Sequence, residues 1–256
     1  MSTHTPLTIL LVGGTGSIGR HVVAAATRAG HQVRILTRSA SSADAVTGDL
    51  TDPTTLSAAV DGVDAVIFTH GTHGGEPGVR DVDYGGVRNI LTAIGSRPVR
   101  IALMTAIGVT VRDGSYNRSS KAHDWKRRAE RLVRASGHPY TIVRPGWFDY
   151  NDPDQHKLHF LQGDTRRAGN SSDGVIARTQ IADVLVASLT SPSADRKTFE
   201  LVAERGPAQA DLEPLFAALT PDTPLDGPGD LDNQPLAAEP AQVRSDLDEL
   251  TGIAQP

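Results

Sequence analysis

The sequence Gly13-Gly14-Thr15-Gly16-Ser17-Ile18-Gly19 decides the fold, because it joins an apolar run to a helical pattern. Residues 7–12 are almost continuously apolar, as expected of a parallel strand that is buried on both faces. Small and apolar residues then recur at helical spacing over residues 17–29, and Gly30 ends that pattern. Strand, turn and helix together predict the first unit of an α/β sheet.

Each glycine of this turn has a role in binding a dinucleotide. Gly13 lets the chain turn sharply, Gly16 lets the backbone approach a pyrophosphate, and Gly19 lets the helix pack closely on the sheet. The helix N-terminus then offers unpaired N–H groups to the phosphates. The spacing is G-x-x-G-x-x-G, not G-x-G-x-x-G, and the alternative is a tight turn without a ligand. The turn predicts a cofactor site that comprises Gly13, Thr15, Gly16, Ser17, Ile18 and Gly19.

Strand and helix patterns keep alternating after this unit. Further strands are predicted at residues 33–37, 45–47, 65–69, 99–105 and from 141, with helices at 53–60, 79–94 and 121–135. The last third predicts a loop at 151–173 with a short strand at 158–161, a helix at 179–189, a strand at 198–202, a helix at 211–219, and a mostly irregular tail from 221 with one helix at 241–250. The fold class is therefore α/β, a doubly wound, Rossmann-like parallel sheet with a small C-terminal substrate lobe. Residues 1–150 would form the dinucleotide-binding core, and residues 151–256 a lobe and tail interleaved with it in a single domain.

The end of the second strand favours NADP over NAD. A carboxylate at this place would hold the ribose 2′-hydroxyl of NAD, but the sequence has Thr37, Arg38 and Ser39. Arg38 can pair with a 2′-phosphate, and the two hydroxyls can add hydrogen bonds. The alternative for Arg38 is a solvated loop cation.

Composition excludes several classes of function. The 256 residues carry a formal net charge of −5, and basic residues occur only in pairs such as Arg127-Arg128 and Arg166-Arg167. We expect these pairs to be solvated and not to bind nucleic acid. The chain has no cysteine, so it forms no disulfide or thiolate metal site, and we expect no metal. Without a signal-like or membrane-spanning run, the expected location is the cytoplasm, with no membrane partner, as a monomer or a homodimer.

Four stretches together resemble the atypical short-chain dehydrogenase/reductases, in the NAD(P)H-binding, NmrA-like branch. They are the glycine-rich turn, Gly48-Asp49-Leu50, the stretch from Asp83 to Asn89, and Tyr140-Thr141-Ile142-Val143-Arg144-Pro145-Gly146. The resemblance spans roughly residues 7 to 205. It implies an adenine site at Asp49 and Leu50, ribose and phosphate contacts after the fourth strand, and a nicotinamide site after the sixth. The residues so implied are Asp49, Leu50, Thr69, His70, Gly71, Pro145, Gly146 and Trp147.

The resemblance also implies a catalytic set, which this chain keeps only in part. The family uses a tyrosine and a lysine at i and i+4 on one helix face, with a serine or threonine at the end of the fifth strand. Thr105 and Lys126 match two of these positions, but Ala122 stands where the tyrosine is expected. Tyr116 and His123 are the remaining proton-donor candidates. Lys126 would still bind the nicotinamide ribose.

Three functions stay open at this point. The first is an NADPH-dependent reductase acting on a small carbonyl, enone or quinone-like substrate in a cleft formed by residues 105–120, 146–175 and the C-terminal lobe. The second is a non-catalytic NADP(H) sensor of the NmrA type, which the absent tyrosine and the acidic tail favour. The third is an isomerase or epimerase, which the missing Tyr-x-x-x-Lys pair disfavours. The retention of Thr105 and Lys126 favours the reductase.

Overall fold

A computed structural model of the chain describes residues 5–39 and 43–254. Its strands are β1 (Thr8–Val12), β2 (Gln32–Thr37), β3 (Ala45–Thr47), β4 (Ala65–Phe68), β5 (Arg100–Met104), β6 (Tyr140–Pro145), β7 (Trp147–Phe148), β8 (Lys157–Leu161), β9 (Val175–Ile176) and β10 (Lys197–Glu204). Its helices are α1 (Gly19–Arg28), α2 (Ser57–Val60), α3 (Gly75–Gly78), α4 (Gly85–Ile94), α5 (Ser115–Ser120), α6 (Ala122–Ala135), α7 (Arg178–Ser188), α8 (Glu213–Ala217) and α9 (Ala241–Ala254).

All ten strands join one sheet, in the order β3-β2-β1-β4-β5-β6-β10-β9-β7, with β8 also paired to β10. The pairs from β3 to β10 are parallel, whereas β8 and β9 run antiparallel to β10. The strand order reverses between β1 and β4, which is where open α/β sheets bind ligands at their carboxyl ends. The predicted Rossmann-like sheet with a small C-terminal lobe is confirmed.

The strands are apolar on both sides because helices cover both faces of the sheet. Leu10 and Val12 of β1 point into one core, beneath α2, α4, α6 and α9. Ile9 and Leu11 point into the other core, beneath α1, α7 and α8. None of the four is more than 1% exposed. This two-sided burial explains the continuous apolar run.

The helical segments that carry Asp83 and Lys126 begin at other residues than predicted. The helix predicted at 79–94 begins earlier, and a π-helical segment at Val79–Tyr84 lies between α3 and α4. The helix predicted at 121–135 is confirmed as α6, which begins one residue later, because Lys121 has a φ of 56° and separates it from α5, a helix that was not predicted. Such π segments are frequent at functional sites. The short strands β7 and β9 were not predicted.

The expectation that Arg127 and Arg128 are solvated is wrong. They are only 1% and 8% exposed, because the segment 222–240 covers α6 and supplies acids to its arginines. The helix predicted at 241–250 is confirmed as α9 and continues to Ala254. The rest of the tail has little regular structure, yet it is packed against α6 through ion pairs. Nothing local in the sequence marks these partners, which lie about a hundred positions away along the chain.

The ion pairs around Arg144 form a buried network between α6, the sheet and segment 222–240, and a second group lies around Asp226 and Glu239. Arg144 of β6 donates to Glu130 at 2.7 Å and to Asp230 at 2.7 Å, and all three side chains are at most 1% exposed. Burial alone raises the pKa of Glu130, but the nearby arginines outweigh it and lower that pKa. The buried network also joins Arg144 to Glu200 at 3.3 Å and Arg134 to Glu130 and Asp222. The second group joins Arg127 and Arg131 to Asp226, and Arg128 and Arg131 to Glu239.

Candidate functional site

The glycine-rich turn has the geometry that a bound phosphate needs. Gly13 has a φ of 90°, and a Cβ there would lie 2.7 Å from the His70 backbone nitrogen. A Cβ on Gly19 would lie 2.2 Å from the Gly13 carbonyl oxygen, so α1 packs closer than any side chain permits. The Gly16 N–H donates to Gly13, which closes the turn.

Several N–H groups of this turn are open to a ligand. Within the described part of the chain, the backbone N–H groups of Thr15, Ser17 and Ile18 have no hydrogen-bond acceptor. Thr15, Gly16 and Ser17 are exposed, whereas the Ile18 side chain is 3% exposed and belongs to the core. Ile18 therefore offers a ligand only its backbone. Open N–H groups at the start of a ten-residue helix fit an anionic phosphate.

The ends of β2 and β3 carry the groups predicted to hold the adenosine half. Arg38 and Ser39 are exposed, and the Thr37 hydroxyl donates to the Ser39 carbonyl at 2.9 Å. Hydrogen bonds from the Thr51 backbone and hydroxyl, both to Oδ1, hold the pKa of Asp49 below its usual value. Asp49 is thus a carboxylate at neutral pH, with Oδ2 available to an amine donor.

Neighbouring side chains support the predicted adenine contact from behind. Asn89 of α4 donates to the Leu50 carbonyl at 2.7 Å and is 8% exposed. Leu50 is half-buried beside Gly86, where a Cβ would come within 3.2 Å of its side chain.

His70, directly after β4, is a buried neutral imidazole. Burial lowers its pKa to about 4. Its Nε2 lies 3.0 Å from the Val82 carbonyl oxygen, which can only accept, so Nε2 carries the proton. Nδ1 is then a buried acceptor, and it has no partner among the described residues. A hydroxyl-bearing ligand would satisfy it.

Lys126 is held by a carboxylate that sequence reasoning did not select. Its Nζ lies 2.6 Å from Oδ1 of Asp83, and both side chains are largely buried. The other oxygen of Asp83 accepts from the Thr72 N–H at 3.0 Å. The pair adjoins Gly71, where a Cβ would lie 3.6 Å from Asp83. Asp83 belongs to the stretch 83–89 that resembles the family, and this resemblance was the sequence signal that could have identified it.

The Thr105 hydroxyl is directed away from the predicted cleft. It donates to Glu130 of α6 at 2.7 Å, and Thr105 is 5% exposed. It is therefore tied to the buried ion-pair network. Thr69 likewise bonds within the sheet, donating to the Val12 carbonyl at 3.2 Å.

A cavity of about 400 Å³ opens beyond the carboxyl ends of β5 and β6. It is lined by Ala106, Ile107, Gly108, Val111, Gly114, Ser115, Tyr116, His123, Pro145, Gly146, Trp147, Phe148, Arg167, Ala168, Gly169 and Asp173. The structure thus brings two predicted proton donors together with the three residues predicted to flank the nicotinamide. Neither Thr105 nor Lys126 lines it.

The rings of Tyr116 and His123 meet at a tilt of 53° in the wall of this cavity, with centroids 5.0 Å apart. Tyr116 is 54% exposed. Burial lowers the pKa of His123, so its imidazole is neutral at physiological pH. His123 is therefore a poor source of a proton from its charged form.

The turn from β6 to β7 is fixed by backbone contacts. A Cβ on Gly146 would lie 2.5 Å from the Gly174 carbonyl oxygen, and the Trp147 N–H donates to that oxygen at 2.9 Å. Trp147 is 38% exposed and meets Tyr150 edge-on. The exposed indole therefore stands at the cavity mouth on a rigid backbone.

Among residues 5–39 and 43–254, every helix is too short or too polar to span a membrane. No group of three or more histidine and acidic side chains there could hold a metal ion.

Comparison with known proteins also indicates an NAD(P)H-binding protein. Residues 13–192 match the model of a family described as NAD(P)H-binding. A sugar epimerase of Bacillus subtilis, named as uncharacterised, is 28% identical over 221 residues, covering 81% of this chain and 99% of its own. Sanguinarine reductase of Eschscholzia californica is 26% identical over 215 residues, which cover 68% of this chain and 78% of the reductase. A solved short-chain dehydrogenase/reductase superfamily protein of Agrobacterium tumefaciens, with bound NAD, has a TM-score of 0.60 at 21% identity and covers 96% of each chain.

Proposed function

Because the chain belongs to the NAD(P)H-binding family of atypical short-chain dehydrogenase/reductases, we propose that it is an NADPH-dependent reductase of a small carbonyl, enone or quinone-like substrate. One observation carries this proposal. The cavity beside residues 145–147 contains Tyr116, whose hydroxyl can donate a proton where a substrate would sit. The similarity to sanguinarine reductase supports a reduction.

The residues present fit a dinucleotide along the whole carboxyl edge of the sheet. Open N–H groups at the glycine-rich turn suit the pyrophosphate, and the orphaned Nδ1 of His70 suits a hydroxyl. Lys126 would bind the nicotinamide ribose, with Asp83 setting its position. When bound, NADPH supplies a hydride to the substrate.

The chain's own contribution to the chemistry is a proton at the reduced oxygen or carbon. Tyr116 would donate it from its hydroxyl and, being half-exposed, regain one from water. His123 would orient the phenol through ring contact. Apolar walls from Ile107, Val111 and Trp147 would keep water from the hydride.

Steady-state NADPH oxidation against aldehydes, quinones, enones and iminium compounds tests the reductase. We expect turnover, and a loss of about 10²-fold or more in kcat for Tyr116→Phe with an unchanged Kd for NADPH. Tyr150→Phe is the matched control, because Tyr150 is 66% exposed and contacts Trp147 without lining the cavity. Equal effects of the two substitutions would refute the role of Tyr116.

The preference for NADPH over NADH is supported by the exposed Arg38 and by the absence of an acid among Thr37, Arg38 and Ser39. Thermal shifts with NADP(H) and NAD(H) test it. We expect the larger stabilisation from NADP(H), and Arg38→Glu should reverse the order. Arg28→Glu, at the far end of α1, should leave the order unchanged.

A second candidate is a non-catalytic NADP(H) sensor. One observation favours it: the Thr105 hydroxyl and the Lys126 ammonium are both engaged by carboxylates. The acidic tail no longer argues for it, because Asp222, Asp226 and Asp230 pair with arginines inside the molecule. Tight NADPH binding without turnover of any compound in the panel would establish the sensor instead.

A further inference from the structure

Arg167 is an exposed residue that lines the cavity, and two backbone carbonyls anchor its side chain. Its Nε donates to the Asp164 carbonyl at 2.8 Å, and its Nη2 donates to the Gly163 carbonyl at 3.4 Å. Both acceptors are neutral. One edge of the guanidinium is thereby fixed, while the Nη1 end has no hydrogen-bond acceptor among the described residues.

The acids near Arg167 are already occupied by other donors. The Asp164 carboxylate accepts from the backbone N–H groups of Gly108 and Thr110 and from the Thr110 hydroxyl. The Asp173 carboxylate accepts from three backbone N–H groups, those of residues 168–170.

In the described part of the chain, no carboxylate lies within ion-pair distance of Arg167. Its neighbour Arg166, by contrast, pairs with Glu204 at 3.3 Å.

Apart from Arg167 and Asp173, the cavity wall is mostly apolar. Trp147, Phe148 and Tyr116 supply aromatic faces, and His123 is neutral. An anchored guanidinium at the edge of such a wall matches a planar acid, because it binds a carboxylate through paired N–H donors while the rings stack. A volume of about 400 Å³ is at the small end for ligand sites.

We propose that Arg167 binds a carboxylate of the molecule reduced in this cavity, so that the substrate is a planar, conjugated acid. This inference rests on the proposed reductase function for the reaction, but not for the binding. Arg167 would determine specificity, and it would take no part in hydride or proton transfer.

The kinetic test uses para-carboxybenzaldehyde and its methyl ester as a matched pair. We expect wild type to prefer the acid, and Arg167→Gln to raise the KM for the acid by about 10- to 100-fold, with kcat and the KM for the ester nearly unchanged. Arg166→Gln is the control and should leave this preference intact. Equal kcat/KM for acid and ester in wild type, or an equal effect of both substitutions, would overturn the proposal.

A binding test separates this proposal from the reductase proposal. Quenching of Trp147 fluorescence by naphthalene carboxylate, with NADP⁺ bound, needs no turnover, and Trp147→Phe identifies the signal. Binding that Arg167→Gln abolishes would support the carboxylate site even if no compound were reduced. Turnover of neutral aldehydes without any carboxylate binding would refute the carboxylate site and leave the reductase standing.

Discussion

The glycine-rich turn and the interface between α6 and segment 222–240 are packed in opposite ways. At the turn, backbone packs on backbone without charged side chains, and several N–H groups are left without acceptors. At the interface, long side chains bring charges into the interior, and arginines are matched by carboxylates. Unsatisfied donors mark a surface built to receive a ligand, whereas matched charges mark a surface that is already closed. The comparison assigns binding to the first region and stability to the second.

The largest expected effect comes from breaking the closed interface. Arg144→Leu would leave Glu130 and Asp230 as buried acids without their main partner, and should lower the free energy of unfolding by about 3–5 kcal/mol. Urea unfolding measures it. Arg28→Leu, which breaks the exposed pair with Asp183, should cost less than about 1 kcal/mol. Similar losses in both variants would contradict a structural role for the buried network.

Glu200, which pairs with Arg144 in the buried network, should make the stability of the protein depend on pH. Burial, opposed by Arg144, raises the pKa of this carboxyl from 4.5 to about 7. The folded protein then holds the proton more tightly than the unfolded chain. The stabilisation this provides is complete below about pH 4.5 and is lost as the pH rises through about 7.

The expected loss from Glu200 is on the order of 3 kcal/mol. Glu200→Gln should flatten this fall, which urea unfolding across the pH range would show as a smaller slope than wild type. Glu249→Gln, at an exposed pair with Arg88, should keep the wild-type slope. If Glu200→Gln also kept it, the carboxyl would not titrate in this window.

The smallest expected change in stability accompanies a large change in binding at the open turn. Gly19→Ala places a Cβ 2.2 Å from the Gly13 oxygen, so the turn must shift, at a cost of about 1–3 kcal/mol. We expect the Kd for NADPH, measured by fluorescence titration, to rise at least about tenfold. Gly252→Ala, with no atom within 4 Å of its Cβ, should leave binding intact and stabilise α9 slightly. Unchanged NADPH affinity in Gly19→Ala would remove the turn from the cofactor site.

This contrast explains which parts of the fold and of the candidate site could be predicted from the sequence. The turn is local: residues 13–19 contain the glycines, and the strand and helix beside them fix their geometry, so both the sheet and the cofactor edge were predictable. Arg127 pairs with Asp226, 99 positions away, and periodicity carries no signal for such a partner. Asp83 was missed for the same reason, since its contact with Lys126 spans 43 positions.

The proposed reduction requires that a hydride leaves bound NADPH for a substrate in the cavity beside Tyr116 and Trp147. A single turnover with NADPH deuterated at the hydride-donating carbon, followed by mass spectrometry of the product, tests it most directly. We expect one deuterium in the reduced product from only one of the two stereoisomers of the labelled cofactor, because a fixed cavity presents one face of the nicotinamide to the substrate. Bound NADPH that is never oxidised, with no deuterium in any product of the panel, would contradict it.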